Sequence, residues 1–229
     1  MRFDKRSLAD RVEIVFDDGG MNLLSSSALD ELSSVISTGE VTSARLLVFR
    51  SGRPGLFAAG ADMVEMRDFS PAEAEAFASK GQELFERIEK LPAITVAVID
   101  GDCFGGALDL ALSFDLRFAT PRARFAHPGA RIGIATGFGG TTRWRKVLQR
   151  PAAQAMFVGN RILGSAEAER SGLVDPVAED FDDSLAALAK ADPRAVRLVK
   201  ELSAHAASLS RSQLQLLAER LGHLYFGGS

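Results

Sequence analysis

Two stretches of the chain, "LFAAGADMVEM" (56–66) and "DCFGGALDLAL" (102–112), share a design: a strand pattern, then small residues, then a short helix pattern carrying an acid. Each glycine of the Gly105-Gly106 pair costs a helix start roughly 0.5–1 kcal/mol relative to alanine, so their presence asks for close approach to the backbone. A helix amino terminus presents unpaired N–H groups and a partial positive charge. If the two turns converge, two amides share one oxygen that becomes negative. Such a hole shelters an enolate or a tetrahedral oxyanion, each donor being worth roughly 2.7–4 kcal/mol. The competing structural reading is that Gly-Gly only permits tight packing, and that Asp62 and Asp109 simply sit well at positive helix ends.

Asp109 also reads two ways. An acid in a buried helix is either satisfied by neighbouring N–H groups, as structure, or kept desolvated as a general base. His127, in "RFAHPGARIG", is the other proton carrier in reach, because histidine changes charge near physiological pH. Its structural alternative is pairing to a backbone carbonyl at a pocket rim. It lies two residues before Gly129, on a stretch whose side chains are expected to alternate as on a strand. His205 and His223 fall in a helical tail, facing solvent or an interface, and Trp144 reads as core packing. No His/Cys/Asp cluster has metal-ligand spacing, so no metal is expected. "FGGTT" lacks the lysine of a phosphate loop.

The elements that position these residues are legible as pattern. "RVEIVF" alternates like a half-buried strand, and "ARLLVF" and "AITVAVID" read as buried strands. "SSSALDELSSVI" has apolar residues at helical spacing. "SPAEAEAFASKGQELFERIEKL" is a long amphipathic helix with Ser70 as N-cap and Pro71 at its first position. "LRFAT" and "ARFAH" are brief strands. From Gly139 the reading is nearly all helix, with "GLVDPV" as a last strand. A strand–helix unit recurs in the first half without a strict repeat.

Composition limits the partners. The 229 residues carry a net charge of −3, which offers no basic face to nucleic acid or anionic lipid. No apolar stretch reaches the roughly 18 residues that cross a bilayer, so no membrane partner is expected. Cys103 is the one cysteine; a reducing cytoplasm suits it. The polar amino terminus "MRFDKRSLADR" is not the pattern of a signal peptide, which also points to the cytoplasm.

From about Val12 to Lys200 the sequence resembles the crotonase, or enoyl-CoA hydratase/isomerase, superfamily. "FAAGADMVEM" is similar to its first oxyanion motif and "GDCFGGALDLALSFDLRFAT" to its second. "ARIGIATGFGGTTR" resembles its glycine-rich segment, and "AMFVGNRILGSAEAERSGLVDPV" the stretch that follows. The resemblance implies an α/β fold, a spiral of repeated ββα units over 1–190, with a helical carboxy-terminal segment, 191–229, for trimerisation or capping. It implies a homotrimer or a pair of trimers, and an acyl-CoA thioester substrate whose coenzyme A is no separate cofactor. The N–H groups of Ala61 and Gly106 would form the hole, with Ala59, Gly60, Asp62, Gly105, Gly129 and Gly137 against the substrate. Asp109 aligns with the first catalytic glutamate of the family's hydratases. The second glutamate position is Gly129, which leaves Asp109 as the single carboxylate base and His127 as the candidate for the lost proton carrier. Asn22 is kept where the family often adds a lysine, so Arg67, Lys80 and Arg131 are the candidates to hold coenzyme A. The resemblance implies an acyl-CoA-processing enzyme of the hydratase/isomerase type, a lyase or isomerase; hydration, isomerisation, decarboxylation, thioester or non-thioester hydrolysis, and a binding protein without chemistry are all open on these residues.

Overall fold

A computed structural model describes residues 1–205. The helix expected in "SRSQLQLLAERLGHLYF", His223 and the surroundings of His205 lie outside the described residues. In chain order the elements begin with β1 (Phe3–Ser7), β2 (Val12–Phe16), β3 (Leu23–Leu24), α1 (Ser26–Ile36), α2 (Gly39–Thr42) and β4 (Leu46–Ser51). Next come β5 (Leu56–Ala58), β6 (Gly60–Ala61), α3 (Met63–Met66), α4 (Pro71–Glu89), β7 (Ile94–Ile99), β8 (Asp102–Phe104) and α5 (Gly106–Ala111). β9 (Leu116–Ala119) and β10 (Arg124–Ala126) precede a 3₁₀ turn at Pro128–Ile132. The chain continues through α6 (Gly140–Val147), α7 (Arg150–Phe157), β11 (Leu163–Gly164), α8 (Ser165–Arg170), α9 (Asp182–Leu188) and α10 (Pro193–His205).

The strands form a five-stranded sheet β1-β2-β4-β7-β9, a four-stranded sheet β11-β10-β8-β5 and the small pair β3-β6. β2, β4, β7 and β9 run parallel, as do β5, β8 and β10. Each pass of the chain therefore lays one strand in the first sheet, one in the second, then a helix. That is the spiral of ββα units, and it brings the β5-to-β6 turn beside the turn that follows β8.

β2 departs from the half-buried expectation: all five of its residues are buried. It is an inner strand, and both faces of its sheet are covered, as parallel sheets require. Ile14 and Phe16 join the main core with Phe3 and Phe49. On the other face Leu46, Val48, Val96 and Val98 pack with Phe118, Phe181 and Leu185. Glu13 is tolerated there because Arg11 and Arg50 hold its carboxylate at 2.8 and 3.9 Å. β1 was hidden in the charged amino-terminal stretch and pairs antiparallel with β2 at the sheet edge.

α4 follows its sequence signals closely. Ser70 and Glu73 make a capping box, Pro71 opens the helix, and Phe77, Leu84, Phe85 and Ile88 face inward. "GLVDPV" does not form the expected strand. Pro176 has no N–H to extend a ladder, and the segment keeps only a bridge between Ala119 and Val177. The last strand is instead β11, paired with β10. By contacts the chain divides into Met1–Ala189 and Lys190–Ser229. In the second unit α10 starts where Asp192 Oδ1 accepts from the Arg194 and Ala195 amides.

Candidate active site

The two small-residue turns meet. Gly60 has φ +106° and Gly105 φ +55°, backbone that L side chains rarely adopt, so glycine is required at both bends. A Cβ placed on Gly60 would stand 3.1 Å from the Gly106 nitrogen, and one on Gly106 would stand 3.3 Å from the Ala61 nitrogen. The Asp62 amide donates to the Leu24 carbonyl of β3 at 3.3 Å. Successive amides of an extended segment point to opposite edges, so the Ala61 N–H faces away from β3. The Gly106 N–H is the first of α5 and has no intrahelical acceptor. Ala59 donates its amide to the Met21 carbonyl at 3.0 Å and fixes the entry to the first bend.

Asp62 resolves to the structural alternative. Its Oδ1 accepts from the Val64 and Glu65 amides at 3.0 and 3.1 Å as the N-cap of α3. Asp109 does not. It lies in the first turn of α5, wholly buried, and caps nothing. Thr136 Oγ1 donates to its Oδ2. Its Oδ1 rests so closely on Gly140 that a Cβ there would overlap it. Asp109 Oδ1 has no hydrogen-bond partner, although His127 Nε2 stands 3.4 Å away, itself buried and unpartnered. Buried polar atoms almost always have partners; a pair that withholds them has bonding capacity left for something else.

His127 therefore does not take the expected backbone carbonyl. Nor does strand alternation apply beyond it, since β10 ends at Ala126 and the 3₁₀ turn begins at Pro128. The ring folds back beside Gly129, with Nδ1 and Cε1 each 3.4 Å from where a Gly129 Cβ would stand, and it stacks on Phe157 with centroids 4.7 Å apart. A side chain at position 129 would require the turn to shift: a Gly129 Cβ would also be 2.5 Å from the Ile134 carbonyl oxygen.

A cavity of about 440 Å³ opens beside this pair, lined by His127 and Thr136 and mainly by apolar groups of Ile134, Trp144, Phe157 and Val158. Trp144, read from sequence as core, both packs against the core and lines this cavity. The glycine-rich loop 136–140 joins cavity and turns. Thr136 holds Asp109, while Phe138 lies against Gly81 and Gly106. Gln82 donates to the Gly137 carbonyl at 2.6 Å, and buried Arg143 to the Phe138 carbonyl at 2.6 Å while paired with Glu89 at 3.2 Å. Gly137 leaves no room for a side chain against Ala78, 2.9 Å from where its Cβ would stand. Thr136, Gln82 and Arg143 gave no sequence signal, because only the folded loop reveals what they hold.

Asn22 is structural: it is fully buried, and its Nδ2 donates to the Phe16 and Phe57 carbonyls and to Ser51. Lys80 is paired with Asp30 at 2.8 Å and Arg67 with Asp68 at 3.4 Å. Arg131 is exposed, between the cavity residues Ala130 and Gly133. Among the described residues no group of three or more His, Cys, Asp or Glu could hold a metal ion, and no helix is long and apolar enough to cross a membrane.

This fold and this pair of turns define a crotonase-type protein. The enoyl-CoA hydratase/isomerase family profile matches residues 11–225, and the chain belongs to that family. It is similar to the short-chain-enoyl-CoA hydratase of Clostridium acetobutylicum, 35% identical over 160 residues, covering 69% of this chain and 61% of that one. It is similar also to the human mitochondrial methylglutaconyl-CoA hydratase, 34% identical over 173 residues, covering 75% of this chain and 51% of that one. The match thus spans roughly half to three fifths of these relatives. Among solved structures, the enoyl-CoA hydratase of Thermoplasma volcanium superposes with TM-score 0.91 at 26% identity, covering 98% of this chain and 92% of that one. Pseudomonas aeruginosa DspI gives 0.88 at 26% identity, covering 99% and 96%.

Proposed function

We propose that the protein processes acyl-CoA thioesters by proton transfer next to the carbonyl, as an isomerase-type member of its family. The observation that carries this is the convergence of the Ala61 and Gly106 amides beside the buried carboxylate of Asp109. A thioester oxygen held by both amides would gain stabilisation as it became an enolate, and Asp109 supplies the buried carboxylate of the site. Hydration handled by two carboxylates is disfavoured, because position 129 is a glycine whose turn would have to shift to carry one. A single base that takes a proton and returns it one position along fits better. Coenzyme A is part of the substrate in this reading, Arg131 is the best placed of the three candidate cations, and the assembly is a trimer or a pair of trimers.

The test is deuterium uptake at the α-carbon of butyryl-CoA in D₂O, beside isomerisation of 3-butenoyl-CoA. The wild type should catalyse both, and Asp109→Ala should lose at least a hundredfold. Tight coenzyme A binding without exchange would reassign the chain to a binding role; turnover of a β-diketone alone would make it a non-thioester hydrolase.

A further inference from the structure

We infer that the atom meeting the substrate proton is Nδ1 of His127, and that Asp109 acts from behind it as the positioning carboxylate. This rests on the thioester reading above and adds the identity of the proton carrier. Asp109 is wholly buried and is absent from the cavity wall, whereas His127 and Thr136 both line that wall. His127 Nε2 stands 3.4 Å from Asp109 Oδ1, and neither atom has a hydrogen-bond partner. The other ring nitrogen, Nδ1, lies on the Gly129 side of the ring, and the ring lines the cavity. The ring is held flat by stacking on Phe157, with 19° between the planes, so its direction is fixed by packing. Gly129 is what makes space for it: the ring occupies ground next to where a side chain at 129 would begin.

The carboxylate selects the tautomer. A carboxylate can only accept, so closing the 3.4 Å gap to hydrogen-bond distance puts the proton on Nε2 and leaves Nδ1 its lone pair. In the reaction the Nδ1 lone pair takes the α-proton. The C–H pair moves into the thioester, whose oxygen becomes the enolate between Ala61 and Gly106. The imidazolium that forms is balanced by Asp109, and its Nδ1–H then returns the proton to the γ-carbon. No other reactant is needed. The cavity beside the ring is largely apolar, which matches an uncharged acyl chain.

Two measurements decide it. In protein labelled with ¹⁵N-histidine at neutral pH, the His127 signals (assigned by their loss in His127→Gln) should show a protonated Nε2 and a bare Nδ1, and Asp109→Asn should disturb that pattern. A bare Nε2 with a protonated Nδ1 overturns the inference without reference to any substrate. In the exchange assay, His127→Gln, which keeps a donor toward Asp109 but has no nitrogen at the Nδ1 position, should lose roughly 10²–10⁴-fold. If His127→Gln keeps its fold and exchanges within threefold of wild type while Asp109→Asn is dead, Asp109 meets the substrate itself and the inference fails. If the wild type exchanges no acyl-CoA at all, the thioester reading fails, and the tautomer measurement still stands or falls alone.

Discussion

The turn at Gly60 and the turn at Gly105 are built alike and end differently. Both leave a strand of the second sheet, bend at a positive-φ glycine and enter a short helix. The strands before them are hydrogen-bonded neighbours, with Ala58 opposite Cys103. In the first, the acid is the cap of its helix and its Oδ1 is taken by two amides. In the second, the acid lies in the first turn, three residues beyond Gly106, with one oxygen left unpaired. A shift of a few residues along the helix converts a structural carboxylate into one available for chemistry. The proposed oxyanion site would need both turns; the proposed proton transfer would draw on the second alone.

The sharpest way to break that contrast is to move the second carboxylate without removing it. A methyl group on Gly140 would overlap Asp109 Oδ1. Gly140→Ala should therefore cost about 10²–10⁴-fold in α-proton exchange, the range set by general acid–base catalysis. Asp62→Asn should stay within threefold of wild type in the same assay. Equal losses in the two variants would erase the distinction between the acids.

A second variant tests whether position 129 can take a glutamate. Because a Gly129 Cβ would press on the Ile134 carbonyl at 2.5 Å, Gly129→Glu must distort the 129–134 turn and crowd the His127 ring. The expected result is a stability loss of about 1–3 kcal/mol, as overpacking gives, with no gain in hydration of crotonyl-CoA. A chemical denaturation curve and a hydration assay read both. Hydratase activity appearing in this variant would show that the turn yields and that only the carboxylate was lacking.

How far the sequence alone reached differs between the same two regions. Glycine pairs, caps and apolar periods are local, so both turns, α1 and α4 were readable from spacing. What Asp109 and His127 do to each other was not, because it depends on the 136–140 loop crossing back over α5, a contact between residues 27 positions apart in the case of Thr136 and Asp109. β2 was misread for a similar reason. On its outer face Glu13 is held by Arg11 and Arg50, and alternation within five residues carries no trace of that pairing. Family resemblance supplied the spiral, which local periodicity showed only as a loose strand–helix recurrence.

Smaller in effect is the loss of the first acid as a cap. Asp62→Ala should lower unfolding stability by about 0.5–2 kcal/mol, the worth of an N-cap side chain, with the exchange rate nearly kept at temperatures where the protein is folded. Thermal melts beside the kinetic assay separate the two quantities. A large kinetic loss at unchanged stability would mean that α3 positions the Ala61 amide far more tightly than the cap hydrogen bonds indicate.

The smallest effect concerns one of the two opposed pairs at which the paired strands differ in ionisable character, Ala58 against Cys103. Burial pushes the Cys103 thiol well above its ordinary range, and the charges of Asp109 and Asp102 push it the same way. A thiol raised in the folded state contributes its full stability below the unfolded value, and that contribution is lost as pH climbs toward the folded one. The wild type should thus weaken in the alkaline range where an exposed thiol ionises, and Cys103→Ala, which removes the thiol, should flatten that decline. Native Cys103 should also resist iodoacetamide at neutral pH and react only after denaturation, since the thiolate is the reactive species. Rapid labelling of the folded protein would show that β8 opens, and with it the second turn but not the first.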